Sequence, residues 1–399
     1  MKKILRSKPS HAKSVPTYLI SGAITQFGEL WDRSLRSLFS EAIEQALTQR
    51  SILSQEIDLV VVSNMASELY EGQAHLNALV STLLPHHPPA MRVEAACASG
   101  GMAVHVARMA IKSGQARTVL VVGAEKMTDR STEETTEILA GASDRELEPQ
   151  ATFPVLYALT AQAHMQRHGT TSKDLASVSV KNHAHAMNNP TAQFHTPISI
   201  DQVLQSPIVS EPLHLLDCSP ITDGAAAIIL SSTPPKTPHV EIVGSGVGQD
   251  ILPLTHRPRM DRFIATQLAI ARALDQASWN AQDLHALSLL ELHDCFTIAE
   301  ILAVEDLGLC KPGEGVRYIR DHAQRLNTSG GLKGCGHPIG ATGVKQAAWI
   351  WQKLQAQPVG STALSQNVGG AGATAVVHLY KHLDSQNCLE KERPRMEKK

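Results

Sequence analysis

At 399 residues the chain is long enough for two or three domains or one large layered body, and 43% hydrophobic against 19% charged residues excludes a disordered composition. A formal charge of −2 gives no basic field for gripping phosphate backbones, which excludes a general nucleic-acid binder. No apolar run approaches the ~20 residues of a membrane span, so no membrane association is expected. Aromatic residues are only 4%, so the interior has to be mostly aliphatic. Met1-Lys2-Lys3 leads into Ser, Pro and His rather than an apolar signal core, and the final Arg-Met-Glu-Lys-Lys matches no standard retention or peroxisomal signal; the expected location is cytoplasmic. Cysteines 97, 218, 295, 310, 335 and 388 show neither a disulfide framework nor a Cys-x-x-Cys pair, and read as free thiols.

In chain order, an amphipathic stretch over 35–46 predicts a helix and is followed by an apolar strand at 57–62. A Gly/Ser-rich turn at 97–101 opens a second helix, and a buried strand follows at 118–122. Residues 125–212 are polar, rich in His, Thr and Asn, and read as an inserted cap with helical pieces at 156–167 and 174–186. A strand returns at 225–230. The order then repeats: a helix at 263–277, a strand at 286–292, a helix at 297–307, a Gly-rich turn at 337–343 opening a helix, and a last strand region beginning at 361–365. Corresponding features lie about 230 to 240 residues apart, which marks an internal duplication. Apolar strands alternating with helical patterns argue parallel sheets covered by helices. The expected division is a first α/β half over 1–124 and 213–245, a cap over 125–212, a second half over 246–382, and a charged, solvated tail over 383–399 that contains Pro394.

Four segments carry candidate chemistry. Val93-Glu94-Ala95-Ala96-Cys97-Ala98-Ser99-Gly100-Gly101 puts a thiol at a strand-to-helix turn, where free N–H groups and the helix dipole favour a thiolate nucleophile. A small core cysteine beside close-packed glycines explains that motif equally well. Asn327 to Gly343 packs glycines around His337, with Pro338 fixing the backbone, so that an imidazole at a helix mouth can activate a thiol or donate to an oxyanion. Glu291-Leu292-His293-Asp294-Cys295-Phe296 closes an apolar strand, where open α/β sheets place ligands. Asn367-Val368-Gly369-Gly370-Ala371-Gly372 can present backbone donors as an oxyanion hole, or form only a tight turn before a strand at 374–379. His183 and His185 are two apart on a helical piece and face different sides, with no Cys or carboxylate set beside them, so no metal site is expected.

Together these motifs make the chain resemble a thiolase-superfamily acyltransferase, nearest the sterol-carrier-protein-X and archaeal acetoacetyl-CoA thiolase branch. The likeness runs from about Tyr18 to Tyr380 and adds Lys181-Asn182-His183-Ala184-His185-Ala186 with Asn189-Pro190, Asp223-Gly224-Ala225-Ala226-Ala227, and Gly336-His337-Pro338. Ordinary thiolases have Asn-Glu-Ala-Phe where this chain has His293-Asp294-Cys295-Phe296, and a second catalytic cysteine where it has Asn367.

The resemblance implies duplicated α/β halves in an α-β-α-β-α body with an inserted cap. It also implies an acyl thioester on Cys97, His337 as activator, and Cys295 as the displaced acid/base, with Cys335 as a rival thiol. One oxyanion hole would use His337 with His293, directly or through a water; the other would use the N–H groups of Cys97 and Gly369. Coenzyme A is then a co-substrate, with no tightly bound cofactor and no metal. The expected assembly is a homodimer or homotetramer, and some branch members add a small partner protein. No CoA-contacting residue is legible; Arg167, Lys181 and His183 could meet phosphates, though a solvated cap face explains them better. A ketoacyl-synthase-like condensing enzyme and a non-catalytic thiolase-fold partner are the competing readings.

Overall fold

The computed structural model describes residues 15–384, so Met1-Lys2-Lys3, Cys388 and nearly all of the expected tail lie outside the described residues. In chain order the first half contains β1 (Tyr18–Ile24), α1 (Leu35–Thr48), β2 (Leu59–Ser63), α2 (Ser67–Tyr70), α3 (Leu76–Ser81), β3 (Ala90–Val93), α4 (Ser99–Lys112) and β4 (Thr118–Glu125). An excursion follows through α5 (Thr132–Ala140), α6 (Phe153–His168), α7 (Ser172–Ala186), α8 (Ile200–Gln205) and a small hairpin of β5 (Ile208–Ser210) with β6 (Leu213–His214), before β7 (Gly224–Ser231) rejoins the sheet. The second half contains β8 (His239–Gln249), α9 (Ile264–Ala277), β9 (Leu289–Glu291), α10 (Thr297–Asp306), α11 (Gly315–Asp321), α12 (Ile339–Leu354), β10 (Thr362–Gly369) and β11 (Thr374–Leu383).

The strands join in the order β3-β2-β4-β7-β1-β8-β11-β10-β9. The halves meet edge to edge at β1 and β8, where Tyr18 faces Glu241 and Leu19 faces Val240. The repeat is therefore physical: β1, α1, β2, α4, β4 and β7 correspond to β8, α9, β9, α12, β10 and β11. The expectation of parallel sheets needs correcting. β2 runs parallel to β3 and β4, and β9 to β10, but β7 and β11 run antiparallel to both of their neighbours. The reason for β11 is local, because only four residues separate it from β10 and a turn that short can only reverse the chain. The expected strand at 286–292 is also shorter, because residues Ala281–Ala286 wind into a 3-10 turn capped by Asn280.

Helices α4 and α12 form the central layer. α12 is buried on nearly every side, and Val344, Ala347, Ala348 and Ile350 share a core with Ala103, Val104, Ala107 and Ile111 of α4. α1 covers the outer face of the first half through Leu38, Phe39, Ala42 and Ile43, and α9 covers that of the second through Ala265, Ala269 and Ala273. The central helices touch at their N-termini, where a Cβ on Gly100 would lie 2.6 Å from the Gly343 nitrogen. Glycine at both positions lets two backbones meet there, which brings the Cys97 turn and the His337 turn together.

Candidate active site

The nucleophile turn is built by local strain and local hydrogen bonds. Ala96 has φ 51°, a left-handed conformation that costs a non-glycine residue free energy. Ser99 holds it: its Oγ donates to the Ala96 carbonyl at 2.6 Å and accepts from the Ala95 N–H at 2.9 Å. Cys97 is thereby carried just ahead of α4, 8% exposed. The expected thiolate is not its resting state. Burial pushes the Cys97 thiol up to about 12; the N–H groups of Gly370 and of Cys97 itself pull the other way without winning, and Glu125 and Glu94 add to the upward push. The helix dipole is legible in sequence, but the burial that outweighs it is not.

Two imidazoles converge on this sulfur. Ligating atoms of Cys97, His293 and His337 all lie within 4.8 Å of one another, and the two rings stand edge to face with centroids 5.2 Å apart. Burial, and then Lys345, drives His337 down to about 3; burial, and then His337, drives His293 far below its ordinary value, so both are neutral at pH 7.

Their tautomers follow from their partners. The Thr342 hydroxyl donates to the Pro338 carbonyl at 3.1 Å, so it accepts from His337 Nδ1–H at 2.7 Å, leaving His337 Nε2 as a bare acceptor. Asn367 sets the other ring. Its Oδ1 accepts from the Gly101 N–H at 2.9 Å, which turns Nδ2 to donate to the Cys97 carbonyl at 3.0 Å and to His293 Nδ1 at 3.1 Å. His293 then carries its proton on Nε2. Both Nε2 atoms are buried without a partner among the described residues, so the cluster presents one proton acceptor and one proton donor beside the thiol.

Cys295 sits on the turn between β9 and α10, 6% exposed. Burial, followed by the nearby Cys97, raises its thiol well above the ordinary range, with Tyr157 pulling the other way without winning. The two thiols are neighbours. Cys335 is not part of this group: it is fully buried, accepts a hydrogen bond from Asn189 Nδ2 at 3.3 Å and packs in the core around α4 and α12. Gly369 ends β10 against the nucleophile turn, where any Cβ would lie 2.4 Å from the Ala95 carbonyl. The N–H that bears on the Cys97 sulfur belongs to its neighbour Gly370 rather than to Gly369.

The Lys181-Asn182-His183 stretch is scaffold. Asn182 Nδ2 bridges Asp294 at 2.6 Å and Glu300 at 2.8 Å, Lys181 pairs with Glu300 at 2.7 Å, and Asp294 accepts from the Leu332 and Lys333 N–H groups. The cap helix α7 is thus tied to both the Cys295 turn and the glycine-rich turn before His337. Lys181 and His183 are turned inward rather than onto a solvated face, while Arg167 is exposed and paired with Asp261 at 3.1 Å. Tyr157, Asn367 and Thr342 escaped sequence reasoning as working parts, since none lies in a motif that names its partner. A cavity of about 730 Å³ lies against the site, walled by Ala95, Ala96, Gly369 and Gly370 with Met65, Ile138 and Leu252.

The profile of the thiolase N-terminal domain matches residues 17–234, and that of the thiolase C-terminal domain-like family matches 246–382. The chain belongs to the thiolase family. This thiolase is similar to "Acetyl-CoA acetyltransferase" of Methanothermobacter thermautotrophicus, at 42% identity over 378 residues covering 89% of this chain and 97% of the relative. It is also similar to "Sterol carrier protein 2" of Homo sapiens, at 31% identity covering 91% of this chain and 71% of the relative. Among solved structures it shares its fold with "Ltp2-ChsH2(DUF35) aldolase", at TM-score 0.77 and 22% identity over 93% of this chain and 99% of that one.

Proposed function

We propose that this thiolase is a CoA-dependent C-acyltransferase that makes or cleaves a 3-ketoacyl-CoA such as acetoacetyl-CoA, by way of an acyl group on Cys97. The observation that carries this is the pair of complementary tautomers beside a neutral thiol. His337 Nε2 takes the Cys97 proton as sulfur attacks the acetyl-CoA carbonyl, so the thiolate exists only while it is attacking. Backbone N–H groups of Cys97 and of the Gly369–Gly370 turn hold the oxyanion. The departing CoA sulfur takes its proton from Cys295, leaving Cys295 as the thiolate base. A second acetyl-CoA then gives up an α-proton to Cys295 while its carbonyl oxygen receives Nε2–H donors from His293 and from His337, which still holds the Cys97 proton. The enolate carbon attacks the Cys97 thioester, the C–S bond breaks, and His337 returns the proton to Cys97. Thiolysis is the same sequence reversed.

The reading includes coenzyme A as co-substrate without a tightly bound cofactor, a homodimer or homotetramer, and a cytoplasmic location. It also divides the chain at the boundaries expected from sequence, with a first half interrupted by a cap over 125–212. The similarity to a protein solved with a DUF35 component supports a small partner protein as a further element. The deciding experiment is incubation of acetoacetyl-CoA with and without free CoA. Two acetyl-CoA per substrate, formed only with CoA, is the expected result; carbon–carbon cleavage that ignores CoA, as an aldolase would give, or simple hydrolysis overturns the proposal.

A further inference from the structure

The turn that joins β10 to β11 is held from outside by its carbonyls. Gly370 and Gly372 have φ of 62° and 84°, which lets the chain reverse but gives it no side chain to fix its peptide planes. The Tyr157 hydroxyl donates to the Gly370 carbonyl at 3.0 Å, Arg257 Nη1 to the Ala371 carbonyl at 2.7 Å, and the Asp250 N–H to the Ala373 carbonyl at 2.8 Å. Arg257 is the charged member of this set, and it is buried. Its Nε donates to the Ile251 carbonyl at 2.7 Å and its Nη2 to the Leu252 carbonyl at 3.2 Å, with the Asp250 carboxylate 3.8 Å away. The same loop is tied to the cap, because the Thr255 N–H and hydroxyl both donate to Glu148 Oε1, at 2.8 and 2.9 Å. On its other side the turn abuts the nucleophile: a Cβ on Gly369 would lie 2.4 Å from the Ala95 carbonyl and 3.3 Å from the Ala98 Cβ.

We propose that Arg257 is a positioning residue for the oxyanion hole: its planar fork clamps the Ile251–Leu252 loop to Ala371 and so aims the N–H groups of the Gly369–Gly370 turn at the thioester oxygen on Cys97. This rests on the reading of that turn as part of the hole. A backbone donor stabilises an oxyanion only when it is held about 2.7–3.1 Å from where the charge develops, and a turn this rich in glycine does not hold itself. Arg257 supplies the stiffness, because hydrogen bonds from a charged donor are stronger than neutral ones and its nitrogens lie in one fixed plane. Two of those nitrogens grip the loop and the third grips the turn, so the turn cannot shift without breaking a buried bond. Arg257 acts through the turn rather than on the substrate. A lysine in its place would keep the charge and lose the fork, since one ammonium does not present donors to three separated carbonyls in a plane.

The test compares two reactions of the same sulfur, at one fixed pH, in the full-length protein, Arg257→Lys and Arg257→Ala. Acetylation of Cys97 by acetyl-CoA builds charge on a carbonyl oxygen and needs the hole. Alkylation of Cys97 by iodoacetamide displaces iodide at a saturated carbon and does not. Both are followed by peptide mass spectrometry. In Arg257→Lys the maximal acetylation rate is expected to fall about 100-fold, the cost of displacing an aligned group by about 1 Å, while the half-saturating acetyl-CoA concentration and the alkylation rate each stay within about threefold. Added guanidinium ion should restore acetylation in Arg257→Ala by refilling the space the side chain leaves; if that variant does not fold, the two rates in Arg257→Lys decide alone. Acetylation within about threefold of the unmodified protein, a loss confined to the half-saturating concentration, or acetylation and alkylation that fall together overturns the proposal. An unmodified protein whose Cys97 is alkylated but never acetylated overturns the acyltransferase reading and this inference with it, whereas a readily acetylated protein that is indifferent to Arg257→Lys overturns the inference alone.

Discussion

Removing the Cys295 sulfur separates the two chemical stages. Cys295→Ala deletes one atom from a core that also contains Tyr157, Phe296 and Ala299. Tyr157 still donates to Gly370, so no buried proton donor is orphaned, and the expected stability cost is about 1 kcal/mol, small against a typical reserve of about 5–15 kcal/mol. Catalysis should suffer far more, because positioned proton transfer contributes about 100- to 10,000-fold, or roughly 3–5 kcal/mol of barrier. The assay is a paired one: acetylation of Cys97 by acetyl-CoA, and deuterium uptake at the acetyl α-carbon in heavy water. Cys97 should still become acetylated, though more slowly, since His337 takes its proton and the CoA sulfur, deprived of Cys295 as donor, leaves as a thiolate that solvent protonates, while α-proton exchange and thiolysis collapse. Cys335→Ala, which loses only its contact from Asn189, should retain substantial rates in both assays. Near-normal exchange in Cys295→Ala alongside a dead Cys335→Ala would refute the assignment of roles to the two thiols.

Because burial holds Cys97 near 12, it is a thiol below that pH and a thiolate only above it; its alkylation rate should climb about tenfold per pH unit from pH 7 to 10. A plateau across that range would mean a preformed thiolate–imidazolium pair instead. Asn367→Asp replaces the group that donates to His293 Nδ1 with one that only accepts, moving the His293 proton from Nε2 to Nδ1. The α-proton exchange rate should then fall about 100- to 1,000-fold, with a lowered melting temperature because the buried carboxylate faces the Cys97 carbonyl with no donor between them, and a normal rate in the folded variant would remove His293 from the oxyanion hole. Gly343→Ala would bring a methyl group within 2.0 Å of the Gly101 nitrogen and 2.4 Å of Asn367 Oδ1. About 2–4 kcal/mol of stability should be lost by denaturant titration, together with Cys97 acetylation.

The duplication was legible because each half lays down the same order of periodicities, and the order survives even where the ends of elements do not. β9 keeps only Leu289–Glu291 of its expected length because the hydrophobic pattern does not distinguish a strand from a capped 3-10 turn. Strand direction was misjudged at β7 and β11, since side-chain alternation is the same for parallel and antiparallel pairs. In the site, Cys97, His293, Cys295 and His337 stand in short motifs and are brought together. Tyr157 and Asn367 are different in kind. Tyr157 reaches Gly370 across 213 residues of chain, and Asn367 reaches the Cys97 carbonyl across 270, so their importance lies in contacts that local spacing cannot encode. The charge state of Cys97 was hidden for the same reason, because its desolvation is made by residues from both halves.

The account stands on Cys97 as the atom that carries the acyl group. Mixing the protein with acetyl-CoA, quenching in acid and sequencing the peptides by mass spectrometry tests it directly: one acetyl group should be found on Cys97, and none should form in Cys97→Ala. Acetylation confined to Cys295, Cys335 or Cys218, or an adduct that persists in Cys97→Ala, would contradict it.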